Sequence, residues 1–168
     1  MVVLSVDVGI QVCGYCVCDV NKLDVNLLEE GEITLSKKQL LPQKLGCIFD
    51  KLEDKTREYN INAIIVETLY SHHRHPTTLG VLSQVRGIVA LLSFQKGIGF
   101  YEYSSTRARK SFLGKGSGNS EQVKKMAENV LGKKFKSIHT ADAFSLVVAF
   151  SHYQKVEKLF SFAKASGK

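Results

Sequence analysis

Residues 2–20 narrow the choice of fold more than any other stretch. Residues 2–6 are apolar, rich in valine, and end on Asp7; Gly9 and Gly14 bracket a turn; a second apolar run fills residues 15–20. Two such runs about a glycine-marked turn predict a hairpin. The strands of a hairpin are antiparallel, so the sheet is not the all-parallel kind of a simple dinucleotide-binding domain, and no G-x-G-x-x-G follows the first strand.

The rest of the chain alternates helical and extended patterns. Glu30-Gly31 reads as a turn leading into a short third strand over residues 32–35. Leu45, Ile48, Phe49 and Leu52 recur at helical spacing and predict an amphipathic helix over residues 42–59, with Pro42 in its first turn. Residues 63–66 are continuously apolar, as in a strand buried on both faces, and terminate in Glu67. A loop over residues 68–76 precedes a helix over 77–95, marked by Leu79, Leu82, Val85, Val89 and Leu92. A fifth strand is expected over residues 98–103. A basic helical turn and a glycine-rich loop over 114–118 come next, then a helix beginning near Asn119, where Asn119 and Gln122 have capping-box spacing. The last helix runs from about residue 140 past 153, with residues 155–168 as its end or a tail. The layout predicts one α/β domain over residues 1–168, a five-stranded mixed sheet flanked by helices.

Charge is segregated along the chain. Between Arg107 and Lys136 there are nine Lys or Arg against Glu121 and Glu128, within an overall formal charge of +7, while residues 19–32 are mainly acidic. Such segregation suits a face for a polyanion, phosphate backbone being the commonest, with a solvated helical surface as the alternative. The start of the chain carries no basic leader, and no apolar run approaches the roughly 18 residues of a membrane span. The expectation is a cytoplasmic protein without membrane association, whose four cysteines stay free thiols.

Two carboxylates, Asp7 and Glu67, stand where apolar strands end, which is where open α/β sheets bind ligands. Burying an acid there is costly unless a cation compensates it. The alternatives are an Asx-type turn between Asp7 and Gly9 and a solvated strand end at Glu67. His139 and Asp142, three residues apart on a helix, project from one face and could share a metal. For this pair the alternative is helix initiation, with His139 or Thr140 near the N-cap and Asp142 favoured by the helix dipole. Three carboxylates and one imidazole suit magnesium or manganese, and phosphodiester hydrolysis by two cations needs such a set. His72, His73 and His75 lack a distant Cys or His pair to complete a tetrahedral site and read as a solvent- or DNA-facing loop.

The stretch Val3-Leu4-Ser5-Val6-Asp7-Val8-Gly9 with Gly14-Tyr15, then Val66-Glu67, Leu82-Ser83-Gln84-Val85-Arg86-Gly87, Gly114-Lys115-Gly116-Ser117 with Gln122-Val123, and His139-Thr140-Ala141-Asp142-Ala143 follow one another in an order that resembles the RuvC family. The resemblance spans nearly the whole chain. It implies a ribonuclease-H-like fold, with Asp7, Glu67, His139 and Asp142 as catalytic residues holding two Mg2+, Mn2+ being an alternative cation. It further implies a homodimer that resolves four-way (Holliday) DNA junctions by paired symmetric nicks, with a branch-migration complex as a further partner. Tyr70 would then stand in the place of an aromatic that wedges among bases at the crossover. Arg74, Arg86, Arg107 and Arg109 would contact DNA with it, as would Lys110, Lys115, Ser117 and Lys124. The chain departs from the family at Val8, where proline is usual, and at Ser120, where the glycine-rich loop usually carries lysine. The second change is expected to bear on a phosphate contact more than on catalysis.

Two other classes remain. A junction-binding protein without nuclease activity would bind the same substrate, although acidic residues facing phosphates would work against it. An ATP-handling relative of actin and the sugar kinases also begins Asp-x-Gly before a hairpin, but such proteins pair two domains around the nucleotide and this chain has room for one.

Overall fold

The computed structural model describes residues 1–69 and 75–165, with side chains described up to residue 154. Five strands form one sheet: β1 (Val2–Asp7), β2 (Val12–Asn21), β3 (Asp24–Thr34), β4 (Ala63–Glu67) and β5 (Gly99–Tyr103), in the order β3-β2-β1-β4-β5. β1, β2 and β3 are antiparallel neighbours, and β1, β4 and β5 run parallel. The mixed sheet expected from the opening hairpin is the one observed.

Alternation along the strands divides the apolar side chains between two layers. Leu4, Val6, Tyr15, Val17, Ile64 and Val66 meet Ile48 and Leu52 of α1 (Leu41–Glu58) and Leu82, Val85, Val89 and Leu92 of α2 (Pro76–Lys96). Val3, Cys16, Cys18, Ala63 and Ile65 face the opposite layer, built from α3 (Ser105–Leu113), α4 (Ser120–Leu131) and α5 (Ile138–Ala165). Phe144 and Phe150 of α5 are almost wholly buried there, each contributing about 1.5–3 kcal/mol by area. The small residues Ala141, Ala143, Ser145 and Ala149 let α5 lie close on the sheet. The Cys16 thiol donates to the Thr140 carbonyl in the first turn of α5, at 3.1 Å.

Three sequence readings are corrected. Glu30-Gly31 is no turn: both residues lie inside an eleven-residue β3. The chain reverses instead at Lys22 and Leu23, with Lys22 at φ 58°. Gly31 is there because the Tyr15 ring lies over it; a Cβ would fall 2.5 Å from that ring's Cζ. By length and mean hydropathy α2 is long and apolar enough to cross a membrane, whereas no run of that kind was expected. Its inner face is a layer of this fold, packed on β4 and α1. Finally α5 begins at Ile138, two residues before its expected start, because Ser137 caps it, its Oγ accepting from the amides of His139 and Thr140.

Cys13, Cys16 and Cys18 are buried, Cys47 is exposed, and all four are free thiols. Burial pushes the Cys13 thiol up to about 11, the Gly9 hydrogen bond only partly opposing it. On the outer side of the sheet Glu29 accepts from Tyr15 at 2.6 Å, from Tyr59 at 2.8 Å and from the buried Lys55 ammonium at 2.7 Å. This network pins α1 to β3. Burial alone would raise the Glu29 carboxyl, but those three donors outweigh it and hold its pKa below the usual value.

Candidate active site

Val6 of β1 lies beside Val66 of β4 in parallel register. Asp7 and Glu67, each one residue further on, therefore stand next to one another at the carboxyl edge of the sheet, on strands about 4.8 Å apart. Counting by twos from Val3 and Ala63 places both acids on the face that packs against α5. Gly14 is paired with Asp7 across the hairpin. Its missing side chain admits the first turn of α5: a Cβ at Gly14 would lie 2.3 Å from the His139 carbonyl carbon.

That close approach brings His139 Nδ1 to 2.8 Å from Asp7 Oδ2, the ring nitrogen donating to the carboxylate. The Asp7 hydrogen bond raises the His139 pKa above its ordinary value, against the opposing effect of burial. One turn along α5, Asp142 accepts from Ser120 Oγ at 2.6 Å. Burial raises the Asp142 pKa, reinforced by the neighbouring Asp7 charge; the Ser120 hydrogen bond, Arg109 and His139 act the other way.

These contacts bear on the alternatives that the sequence left open for Asp7 and for the start of α5. Asp7 is no Asx-turn residue, since its carboxylate engages His139 while the Gly9 amide donates to Cys13 Sγ. Ser137 caps α5 and Thr140 returns a hydrogen bond, its Oγ1 accepting from the Ser137 amide, so Thr140 takes part in helix initiation as one reading expected. His139 is beside it in the first turn, and Asp142 lies beyond that turn. Asp7, Glu67, His139 and Asp142 all line one cavity of about 480 Å³, together with Arg109, Ser105, Ser120 and Thr78 among its polar groups. Among the described residues no three His, Cys, Asp or Glu side chains are gathered as a finished cage for an ion. The donor set still fits magnesium, which takes one or two carboxylates, keeps several waters and completes its shell with substrate phosphate oxygens.

Of the remaining expected DNA contacts, Arg109 alone lines this cavity among the described residues. Arg109 is on its wall, half-buried, with Nε enclosed and without a hydrogen-bond partner. Arg107 lies over the Tyr153 ring at 5.3 Å. Lys110, Lys115 and Ser117 are exposed, and Lys124 lines a neighbouring groove with Lys125 and Lys134. Arg86 is away from the cavity lining, ion-paired with Glu102 through both Nε and Nη2 and placed over Phe100. Tyr70, Arg74, His72 and His73 fall outside the described residues; His75 caps α2, its ring accepting from the Thr77 amide. Sequence reading missed Ser120 as part of the cavity. It assigned the substitution at that position to a phosphate contact, whereas the hydroxyl is on Asp142.

A mixed five-stranded sheet in this order, with acids from two parallel strands and a closing helix gathered at its carboxyl edge, defines a ribonuclease-H-like domain with a candidate acidic active site. The sequence profile of the family described as "Crossover junction endodeoxyribonuclease RuvC" matches residues 3–152, and the chain belongs to that family. A relative of that description from Prosthecochloris aestuarii is 33% identical over 150 residues, covering 88% of this chain and 80% of its own length. One from Alkaliphilus metalliredigens is 28% identical, covering 95% and 98%. The Thermus thermophilus RuvC structure shares the fold with a TM-score of 0.81 at 23% identity, covering 94% of this chain and 97% of that one. The same TM-score is found at 21% identity, covering 93% and 96%, for the T. thermophilus protein in complex with Holliday junction substrate.

Proposed function

We propose that this chain is a magnesium-dependent endonuclease that resolves four-way DNA junctions by paired symmetric nicks, acting as a homodimer. The observation that carries the reading is the meeting of Asp7, Glu67, His139 and Asp142, four residues scattered over the chain, on the wall of one cavity. Asp7 and Glu67 hold cations at the strand ends, and Asp142 holds them from α5. His139 joins them, its ring orientation fixed by the Asp7 carboxylate. When bound, the two cations activate the attacking water and stabilise the leaving oxygen. Arg109 on the cavity wall offsets the acidic charge where a phosphate would enter. Arg107, Lys110, Lys115 and Lys124 contact the arms of the junction through their phosphates.

The dimer is supported by the outward face of α2. Gly80, Gln84, Gly87, Leu91 and Phe94 are exposed and spaced four, three, four and three residues apart, which makes one straight seam. A Cβ at Gly80 or Gly87 would meet open space, and Phe94 is 83% exposed. A seam without side chains at Gly80 and Gly87 and apolar at Leu91 and Phe94 admits a second helix closely, and a twofold dimer is what a twofold substrate calls for.

The test is a synthetic four-way junction incubated with the protein, with and without Mg2+. Wild type should nick it only with the cation, and Asp7→Asn should bind the junction yet leave it intact. Unimpaired cutting by Asp7→Asn would refute the assignment, and metal-independent binding without any nicking would point to a junction-binding protein.

A further inference from the structure

The hydrogen bond from the Ser120 hydroxyl to Asp142 lies in the cavity, and metal ligation by the four candidate residues does not account for it. The position of the serine is over-determined. Asn119 and Gln122 cap α4 reciprocally, the Gln122 amide donating to Asn119 Oδ1 at 2.9 Å and the Asn119 amide to Gln122 Oε1 at 3.2 Å. That fixes Ser120 as the first residue of the helix. The preceding loop is packed on α3 at two glycines: a Cβ at Gly118 would fall 2.3 Å from Leu113 Cδ1, and one at Gly116 would fall 2.7 Å from Thr106 Cγ2. Val123 and Ala127 then bury α4 in the same core as Ala143 and Phe144 of α5. Loop, helix and core together deliver the hydroxyl to Asp142 Oδ2.

Asp142 has a competing partner close by. Arg109 lines the same cavity as Asp142, its Nε is enclosed without a hydrogen-bond partner, and among the described residues it forms no ion pair with Asp142. A carboxylate without the serine would be drawn toward that guanidinium, because charge-assisted hydrogen bonds are stronger than neutral ones. We infer that Ser120 is a positioning residue: its hydroxyl holds Asp142 Oδ2, keeps the carboxylate off Arg109, and leaves Oδ1 for a divalent cation and Arg109 for phosphate. The inference rests on the two-cation nuclease reading. It makes the serine an element of the metal site, where the sequence suggested the loss of a phosphate contact.

The experiment compares wild type, Ser120→Ala and Ser120→Thr, each checked for an unchanged fold by circular dichroism. Mn2+ binding is titrated without DNA by the loss of the free-ion paramagnetic signal, and cutting of a four-way junction is followed against metal concentration. Removing a partner that orients a metal ligand costs on the order of 10- to 100-fold in metal affinity. Ser120→Ala should therefore bind Mn2+ at least about tenfold more weakly and need correspondingly more metal for half-maximal cutting, while its junction binding without metal is unchanged. Ser120→Thr, which keeps the hydroxyl, should stay close to wild type on both. Unaltered Mn2+ affinity in Ser120→Ala, or an equal loss in Ala and Thr, would overturn the inference. The binding titration is independent of cutting. Mn2+ affinity that depends on the hydroxyl, in a protein that nicks no junction, would sink the nuclease reading and leave Ser120 in this role.

Discussion

At the scale of single residues, the proton on His139 is the variable that the geometry exposes most directly. Its pKa is raised by the Asp7 hydrogen bond, so the folded protein binds that proton more tightly than the unfolded chain, whose value is near 6.5. The stability this contributes is complete below about pH 6.5 and is lost as pH rises through the folded value. In metal-free protein, melting temperature should fall over that window, and Asp7→Asn should flatten the fall; a profile identical in the two proteins would show that the pair is not coupled. Asp142, also raised, begins its own change from a lower starting value near 3.8, and Asp142→Asn removes that contribution from the profile. Because a ligating imidazole must be neutral, metal affinity should climb across the window in which metal-free stability declines. The acids were legible in the sequence, since an apolar strand that ends on Asp or Glu is a local pattern, as is a His and an Asp three residues apart. Ser120 was not legible. A serine beside a glycine-rich loop carries no local sign of the carboxylate 22 positions away that it holds.

At the scale of elements, the site exists because one strand is bare where a helix must touch it. Gly14 is opposite Asp7 in β2 and against the His139 backbone at the start of α5. Gly14→Ala would force rigid backbone apart there, since no flexible side chain can yield. The expected cost is about 1–3 kcal/mol of stability, read by chemical denaturation. A cutting rate lower by on the order of 10²-fold should accompany it, because a misplacement of about 1 Å is enough for that. Gly46→Ala is the control: it sits in α1 with open space at the Cβ and should stabilise by about 0.5–1 kcal/mol with no effect on cutting. Equal behaviour of the two variants would refute the packing argument. The helices were readable from their apolar periodicity, and the capping pair Asn119/Gln122 located the start of α4. The extent of β3 was not readable. Its Asp, Asn and Glu residues have poor intrinsic strand propensity, and what makes them a strand is pairing with β2 along its whole length and Glu29 reaching Tyr15, Tyr59 and Lys55. Pairing of that kind is written in the partner and not in the segment.

At the scale of the whole molecule, the four candidate ligands line a single cavity of the chain, and two symmetric nicks need two such sites related by a twofold axis. α2 joins the two requirements: Thr78 and Leu82 near its start line the cavity, and its outward seam ends in Leu91 and Phe94, 49% and 83% exposed. If a second α2 covers that seam, each interface residue is buried twice, once in each copy. Replacing both Leu91 and Phe94 with glutamate removes at least about 4 kcal/mol of apolar burial per dimer and sets like charges face to face across the axis. That weakens association by roughly three decades or more. Sedimentation should find wild type as a dimer and Leu91→Glu/Phe94→Glu as a folded monomer, with each protomer's cavity intact because the seam is on the far side of α2 from Leu82. The functional readout is the product formed from a supercoiled plasmid that extrudes a cruciform. Paired nicks within the lifetime of one complex give linear DNA, and uncoupled nicks give relaxed circles. The dimer should yield mainly linear product and the monomeric variant mainly relaxed circles, with metal dependence retained by whatever nicking remains. A double variant that stays dimeric and still linearises the plasmid would place the twofold interface elsewhere on the molecule.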